Sequence, residues 1–167
     1  IVIFFNALKS LSIKKITNIL LMGLSHPLFS ILYFYASFKA FSIAKKLYPK
    51  TNSSNGRGNA FRHSFWCCMI MMYYCKVSSP AKSLIWCQKF TNMHEDLFPN
   101  QPLENMMDLH NNKVGMSYFM TLLEGTHRQF FESSFFIPDL QKMTEEAVVL
   151  KDVKQDLDPN ILVYLED

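Results

Sequence analysis

The first 94 residues of this chain contain no aspartate and no glutamate. They hold 12 of its 17 Lys/Arg residues, whereas residues 95–167 hold the other 5 and all 14 acids, so the two parts carry formal charges of +12 and −9 and sum to +3. Two consequences are open at this stage. The basic part can lie against an anionic surface such as lipid headgroups, or the two parts can pack together and neutralise each other, because net charge speaks to partners and not to fold. No nucleic-acid partner is expected.

Other absences narrow the chemistry. The four cysteines, Cys67, Cys68, Cys75 and Cys87, form no Cys-x-x-Cys pair, which argues against a thiolate metal site. They read as free thiols buried in a reducing, cytoplasmic compartment, with a membrane-peripheral position as the variant that the charge split suggests. His94-Glu95 does not open a His-Glu-x-x-His motif, because Phe98 stands where the second histidine belongs. No serine lies in a Gly-x-Ser-x-Gly elbow, and the loop Pro49–Gly58 has two glycines but no Walker pattern. Ile1–Leu24 is apolar but broken by Lys9, Lys14 and Lys15, without the order of a secretory signal. The apolar run Leu28–Phe38 falls short of the ~20 residues that span a bilayer, so no transmembrane helix is expected. Internal repeats and low-complexity segments are also missing.

A chain of 167 residues, with 15 Phe and 10 Met among them, is long enough to bury a core. Its periodicities predict an all-α, single-domain bundle of about five main helices with a short irregular C-terminal tail. Residues 10–24 read as an amphipathic helix. His26-Pro27 breaks it, and Pro27 opens a second helix to about Leu47. Asn59 is expected to cap a third helix, Ala60–Lys76. A fourth runs from about Ala81 to Leu97 with Leu84, Cys87, Phe90/Thr91 and His94 on its inner stripe. Asn100 or Gln101 caps a fifth, Leu103–Leu123, which Gly125 ends. Pro138–Val149 reads as a short surface helix and Ile161–Leu165 as a brief extended tail. The domain divides into an apolar, basic helical pair (1–50), a motif-bearing core (51–125) and an acidic C-terminal segment (126–167).

Polar residues interrupt this apolar background in three places. Asn59, Arg62, His63 and Trp66 share one face of the third helix at i, i+3, i+4 and i+7. His94 and Glu95 end the fourth. Asp108, Asn111, Asn112 and Gly115 form one stripe on the fifth, where Gly115 can let another backbone approach. His110 lies two residues from Asp108 and so points about 200° away on a regular helix.

If the three faces converge, His63, His94, Glu95 and Asp108 are the candidate catalytic residues. His63, His94 and Asp108 could ligate a divalent metal such as zinc or iron, with Glu95 as general base. Asn59, Arg62, Trp66, His110, Asn111 and Asn112 are the candidate substrate contacts, Arg62 receiving an anionic group. The competing reading is a structural network in which Arg62 pairs with Asp108 or Glu95 and the asparagines satisfy histidines and helix ends. His26 and His127 read as surface or capping residues, and Trp86 and Met69/Met71/Met72 as core. The function read from these residues is thus a small hydrolase with a His/Asp site, metal-dependent or metal-free. The alternative is a non-catalytic module peripheral to a membrane or bound to a partner.

The blocks Asn-Gly-x-Gly-Asn-Ala-Phe-Arg-His-Ser-Phe-Trp (55–66), His-Glu (94–95) and Met-Asp-Leu-His-Asn-Asn-x-x-Gly (107–115) resemble a family of uncharacterised bacterial domains, found as short stand-alone proteins and at the ends of secreted or toxin-like ones. The resemblance covers about residues 55–120 and implies a shared site made of Arg62, His63, His94, Glu95, Asp108, His110, Asn111 and Asn112. It carries no activity. Many relatives have Asp at the position of Asn59, so one carboxylate is missing here.

Overall fold

In the computed structural model, which describes residues 13–98 and 100–166, the central element is a helix with almost no solvent-facing side. This helix, Arg57–Val77, buries nearly every residue from Gly58 to Cys75, including Phe61, Phe65, Met69, Ile70 and Met71. A helix that is apolar all round has to be surrounded. The chain does so with α1 (Ile13–Ser25), α2 (Pro27–Leu47), α4 (Pro80–Leu97), α5 (Pro102–Leu122) and α6 (Ser133–Glu145), numbering the central helix α3. Helices α2, α4, α5 and α6 pack directly on α3, while α1 packs on α2. The fold is therefore all-α, as the periodicities predict. The expected helix start at Ser10, and the apolar stretch before it, lie outside the described residues.

Helix α2 meets α3 through Phe29, Tyr33, Ala36, Ala40 and Ala44, a stripe at spacings of three and four that marks one helix face. Phe29 stacks on Tyr74 with ring centroids 4.3 Å apart. The outward side of the α1–α2 pair stays apolar: Leu24 is 76 % exposed, Phe38 73 % and Ile31 66 %. Helix α2 as a whole, 21 residues, is long and apolar enough to cross a membrane by length and composition alone, a longer apolar segment than the run Leu28–Phe38.

Several ends differ from expectation. Helix α3 is capped by Gly56, in extended backbone, and not by Asn59. The Gly58 N–H donates to Thr51 Oγ1 at 3.1 Å, and a Cβ at Gly58 would lie 2.6 Å from Tyr48 Cβ and 2.7 Å from Asn52 N. The loop therefore closes over the first turn and draws the helix start back three residues. Ser79 caps α4 by accepting from the Lys82 N–H. At the start of α5 the Glu104 carboxylate accepts from the Gln101 N–H at 3.2 Å, so of the two expected capping positions Gln101 serves. Gly125 is not the terminator: α5 ends at Leu122, and no glycine among the described residues takes positive φ.

Helix α6 begins at Ser133, with Pro138 inside it. Phe136, Leu140 and Thr144 recur every fourth residue and are buried, and Phe131 and Phe136 pack with Phe119 of α5. Burial of this stripe outweighs the hydrogen bond that proline cannot donate, so the segment is a core helix and not a surface one. The tail is ordered as well. Val163–Tyr164 pairs in parallel with Val148–Val149, and Leu162 and Val163 are buried against α3 and α5.

Candidate functional site

The crossing of α3 and α5 sets the site. A Cβ on Gly115 would fall within the Ser64 backbone, 2.7 Å from its Cα and 2.8 Å from its carbonyl carbon. Only a glycine lets the helices approach this closely, and Cys68 Sγ donates to the Gly115 carbonyl at 3.3 Å across the contact. One and two turns before Gly115, the same face of α5 carries Asn112 and Asp108 to His63 of α3.

His63 is 3 % exposed and touches four polar groups. Its Nδ1 lies 3.0 Å from Asn112 Oδ1 and 3.9 Å from Glu95 Oε1; its Nε2 lies 3.1 Å from Arg62 Nη2 and 3.3 Å from Asp108 Oδ1. An amide oxygen only accepts and a guanidinium only donates. The ring is therefore the neutral tautomer, with Nδ1–H donating to Asn112 and the Nε2 lone pair accepting from Arg62. Burial, then the nearby Arg62 charge, hold its pKa well below the ordinary histidine value. The Asp108 contact is accordingly not an ion pair.

Asn112 also donates from Nδ2 to Glu95 Oε1 at 3.1 Å, so a single amide orients both His63 and Glu95. Asp108 Oδ2 accepts from Asn100 Nδ2 at 3.1 Å, while its Oδ1 is buried and has no hydrogen-bond partner among the described residues. Burial, reinforced by the facing Asp108 carboxylate, pushes Glu95 up to about 7. Burial also raises Asp108, to about 6, against the opposing pull of Arg62. Arg62 donates from Nη2 to Asn59 Oδ1 at 3.1 Å, and its Nε is buried without a partner among the described residues. No direct Arg62–Asp108 ion pair forms among the described residues, which corrects the expected pairing. The guanidinium instead rests between Asn59 and His63.

The predicted residues thus divide. Asn59, Arg62, His63, Glu95, Asp108 and Asn112 come together. His94 stands beside them, its ring 5.1 Å from that of Trp66 and 4.9 Å from that of Phe98, and burial lowers its pKa to about 4. The three residues whose ligand atoms converge, all within 4.8 Å of one another, are His63, Glu95 and Asp108. Glu95 therefore replaces His94 in the expected metal set. The signal was present in the sequence: Ser83, Cys87, Thr91 and Glu95 recur every fourth residue and are all buried, so Glu95, and not His94, continues the inner stripe of α4.

Trp66 forms a wall, and its indole N–H is committed to Ser37 Oγ at 2.7 Å. His110 and Asn111 turn away from the cluster. His110 Nε2 lies 2.8 Å from the Ile161 carbonyl. Asn111 donates to the Val163 carbonyl at 2.8 Å and accepts from the Val163 N–H at 2.9 Å. Asn100, in the turn before α5, was not foreseen, since nothing in a loop's spacing says where its side chain will reach.

A family model described as a domain of unknown function, DUF6973, matches residues 20–148. The chain belongs to this family. No curated protein and no solved structure matches it. The DUF6973 stretch contains every residue of the cluster, whereas Val163, which Asn111 holds, lies beyond it.

Proposed function

We propose that the His63–Glu95–Asp108 cluster is the active centre of a small hydrolase acting on a substrate with an anionic group. The observation that carries this reading is Asp108 Oδ1, buried without a partner among the described residues and 3.3 Å from the lone-pair side of His63. A buried polar atom left unpaired costs about 1–3 kcal/mol, and such a cost is characteristic of sites kept for chemistry. A purely structural network of these residues would have closed the Arg62–Asp108 pair. Glu95 and Asp108, raised to about 7 and about 6, titrate where a general base and a general acid are effective. One takes a proton from water as the water attacks, and the other returns a proton to the leaving group. Arg62 Nε supplies a donor for the anionic group. Asn112 keeps the His63 ring turned so that Nε2 faces the reaction.

The test is turnover of chromogenic carboxyl-ester, amide and phosphoester substrates by the wild type, Asp108→Asn and Glu95→Gln. The expected result is loss of at least about 100-fold in each variant with an unchanged or higher melting temperature. If no substrate turns over and Asp108→Asn melts several degrees lower, the cluster serves stability instead.

A second reading, a membrane-peripheral module, is supported by the outward apolar side of α1–α2 together with the exposed Lys45 and Lys46 at the end of α2. It expects flotation with anionic vesicles at low salt, weakened as salt screens the lysines. Equal flotation with neutral vesicles rules out the charge contribution.

A further inference from the structure

We propose that His63 Nε2, Asp108 Oδ1 and the Glu95 carboxylate together bind one divalent cation, with zinc the best match. The inference rests on the hydrolase reading of the same cluster and revises its roles, since Glu95 and Asp108 held as ligands leave activation of the water to the ion, yet the binding it claims can be measured without turnover.

Three helices deliver the donors: His63 from α3, Glu95 from α4 and Asp108 from α5. All three residues are buried, and their ligand atoms lie within 4.8 Å of one another. The closest pair, Nε2 and Oδ1, is 3.3 Å apart. Two ligands about 2.0–2.1 Å from a tetrahedral zinc are themselves about 3.3–3.4 Å apart, so this edge already has the length that a shared ion requires. Asp108 Oδ1 has no partner among the described residues and faces the Nε2 lone pair. Two acceptors facing each other in a buried place are a strained arrangement unless something positive lies between them.

The surroundings have the form of a supported metal site. A ligating imidazole usually donates its other ring N–H to a fixed acceptor, and here Nδ1–H donates to Asn112 Oδ1. The same Asn112 holds Glu95 Oε1, and Asn100 holds Asp108 Oδ2. Each of the three donor residues is thus steered by an asparagine. Two carboxylates match the charge of a divalent ion, and the three donors leave a fourth tetrahedral position for water, the arrangement of catalytic zinc.

Arg62 is the competitor. Its Nη2 lies 3.1 Å from the same Nε2, and one lone pair cannot serve both a guanidinium and a metal. The arginine already has a second anchor, Asn59 Oδ1, also at 3.1 Å, so it can yield Nε2 without losing that partner. Arg62 then acts as a place-holding cation that a metal displaces.

The experiment is titration of chelator-stripped protein with zinc by calorimetry, and with cobalt read by its visible absorption. The expected result is one zinc per chain and a tetrahedral cobalt spectrum. Both are weakened at least about 100-fold by His63→Gln and by Asp108→Asn, beyond the 10–100-fold typical of supporting residues. His94→Ala leaves binding unchanged, and Arg62→Met binds as tightly as the wild type or more so. Circular dichroism on each variant separates lost binding from lost fold, and Arg62→Met keeps the proposal testable if the others unfold. Absence of binding in the wild type, zinc binding that survives both His63→Gln and Asp108→Asn, or loss on Arg62→Met in a folded protein overturns the proposal. Zinc bound as described without any turnover leaves the metal site standing and removes the hydrolase. Turnover that persists in chelator by protein that binds no zinc does the reverse.

Discussion

Asn111 and Asn112 are neighbours in sequence, equally buried and chemically identical, yet they work on different sides of α5. Asn112 faces α3 and joins His63 to Glu95. Asn111, one residue and 100° around the helix, faces the C-terminal strand and takes both the N–H and the C=O of Val163. The same side chain thus orients the polar cluster in one place and stands in for a strand partner in the other. The comparison teaches that a polar stripe on an apolar helix is not one site. Register against the neighbouring elements decides which residues share a purpose, and here Gly115 sets that register.

The largest effect is therefore expected at Gly115. Added core volume usually costs 1–3 kcal/mol when side chains can shift. At Gly115 the obstacle is the Ser64 backbone, which cannot shift without moving α3. Gly115→Ala is expected to lose more than about 3 kcal/mol in denaturant melts and to disturb both sides of α5 together. A variant with wild-type stability would show that the two helices can slide apart freely.

The two asparagines come next. Asn111→Ala leaves the buried Val163 N–H and C=O without their side-chain partner, at about 1–3 kcal/mol for a group so stranded. It should also raise amide exchange over Leu162–Leu165 while leaving the cluster intact. Asn112→Ala should spare that strand. Its effect is to free the His63 ring and Glu95, lowering any activity of the cluster by roughly the 10²-fold that loss of a positioning contact can bring. Hydrogen exchange and turnover on the same pair of variants check both halves. Equal exchange over Leu162–Leu165 in the two variants would erase the distinction.

Much of this was legible beforehand because it depends on periodicity. The 3.6-residue repeat placed five main helices, grouped Arg62 with His63 and Asp108 with Asn112, and turned His110 away from Asp108. Legibility failed where the deciding contact is long-range. Nothing near Asn59 says that Thr51 and Asn52 will fold over Gly58 and move the cap to Gly56. Pro138 reads as a helix start until Phe131 and Phe119 supply the aromatic pocket that buries Phe136 two residues earlier. Asn111 looked like part of the site because Val163, 52 residues away, is invisible to any local pattern.

The smallest effect expected is the pH dependence of wild-type stability, because the cluster contains opposing titrations. Glu95 is raised from 4.5 to about 7 in the fold. A raised carboxyl favours the native state below its unfolded pKa, and that advantage is lost as pH rises through the folded value. His94 is lowered from 6.5 to about 4, and His63 is lowered as well. A depressed histidine contributes stability above its unfolded pKa, and that contribution is lost as pH falls through the folded value. Between about pH 4.5 and 6.5 the two slopes oppose each other. The Glu95 and His94 shifts, opposite in sign, each correspond to about 3 kcal/mol at most, so the wild type in chelator should change by no more than about 1 kcal/mol across this window. Glu95→Gln removes one of two falling slopes, Asp108, raised to about 6, supplying the other, and the profile from pH 4.5 to 6.5 should then tilt upward relative to the wild type. His94→Phe removes part of the rising slope, and stability should fall over the same range. Melts of the three proteins at matched ionic strength compare them directly. If Glu95→Gln and His94→Phe tilt the profile the same way, Glu95 and the histidines do not titrate against each other, and the place of Glu95 beside His63 has to be redrawn.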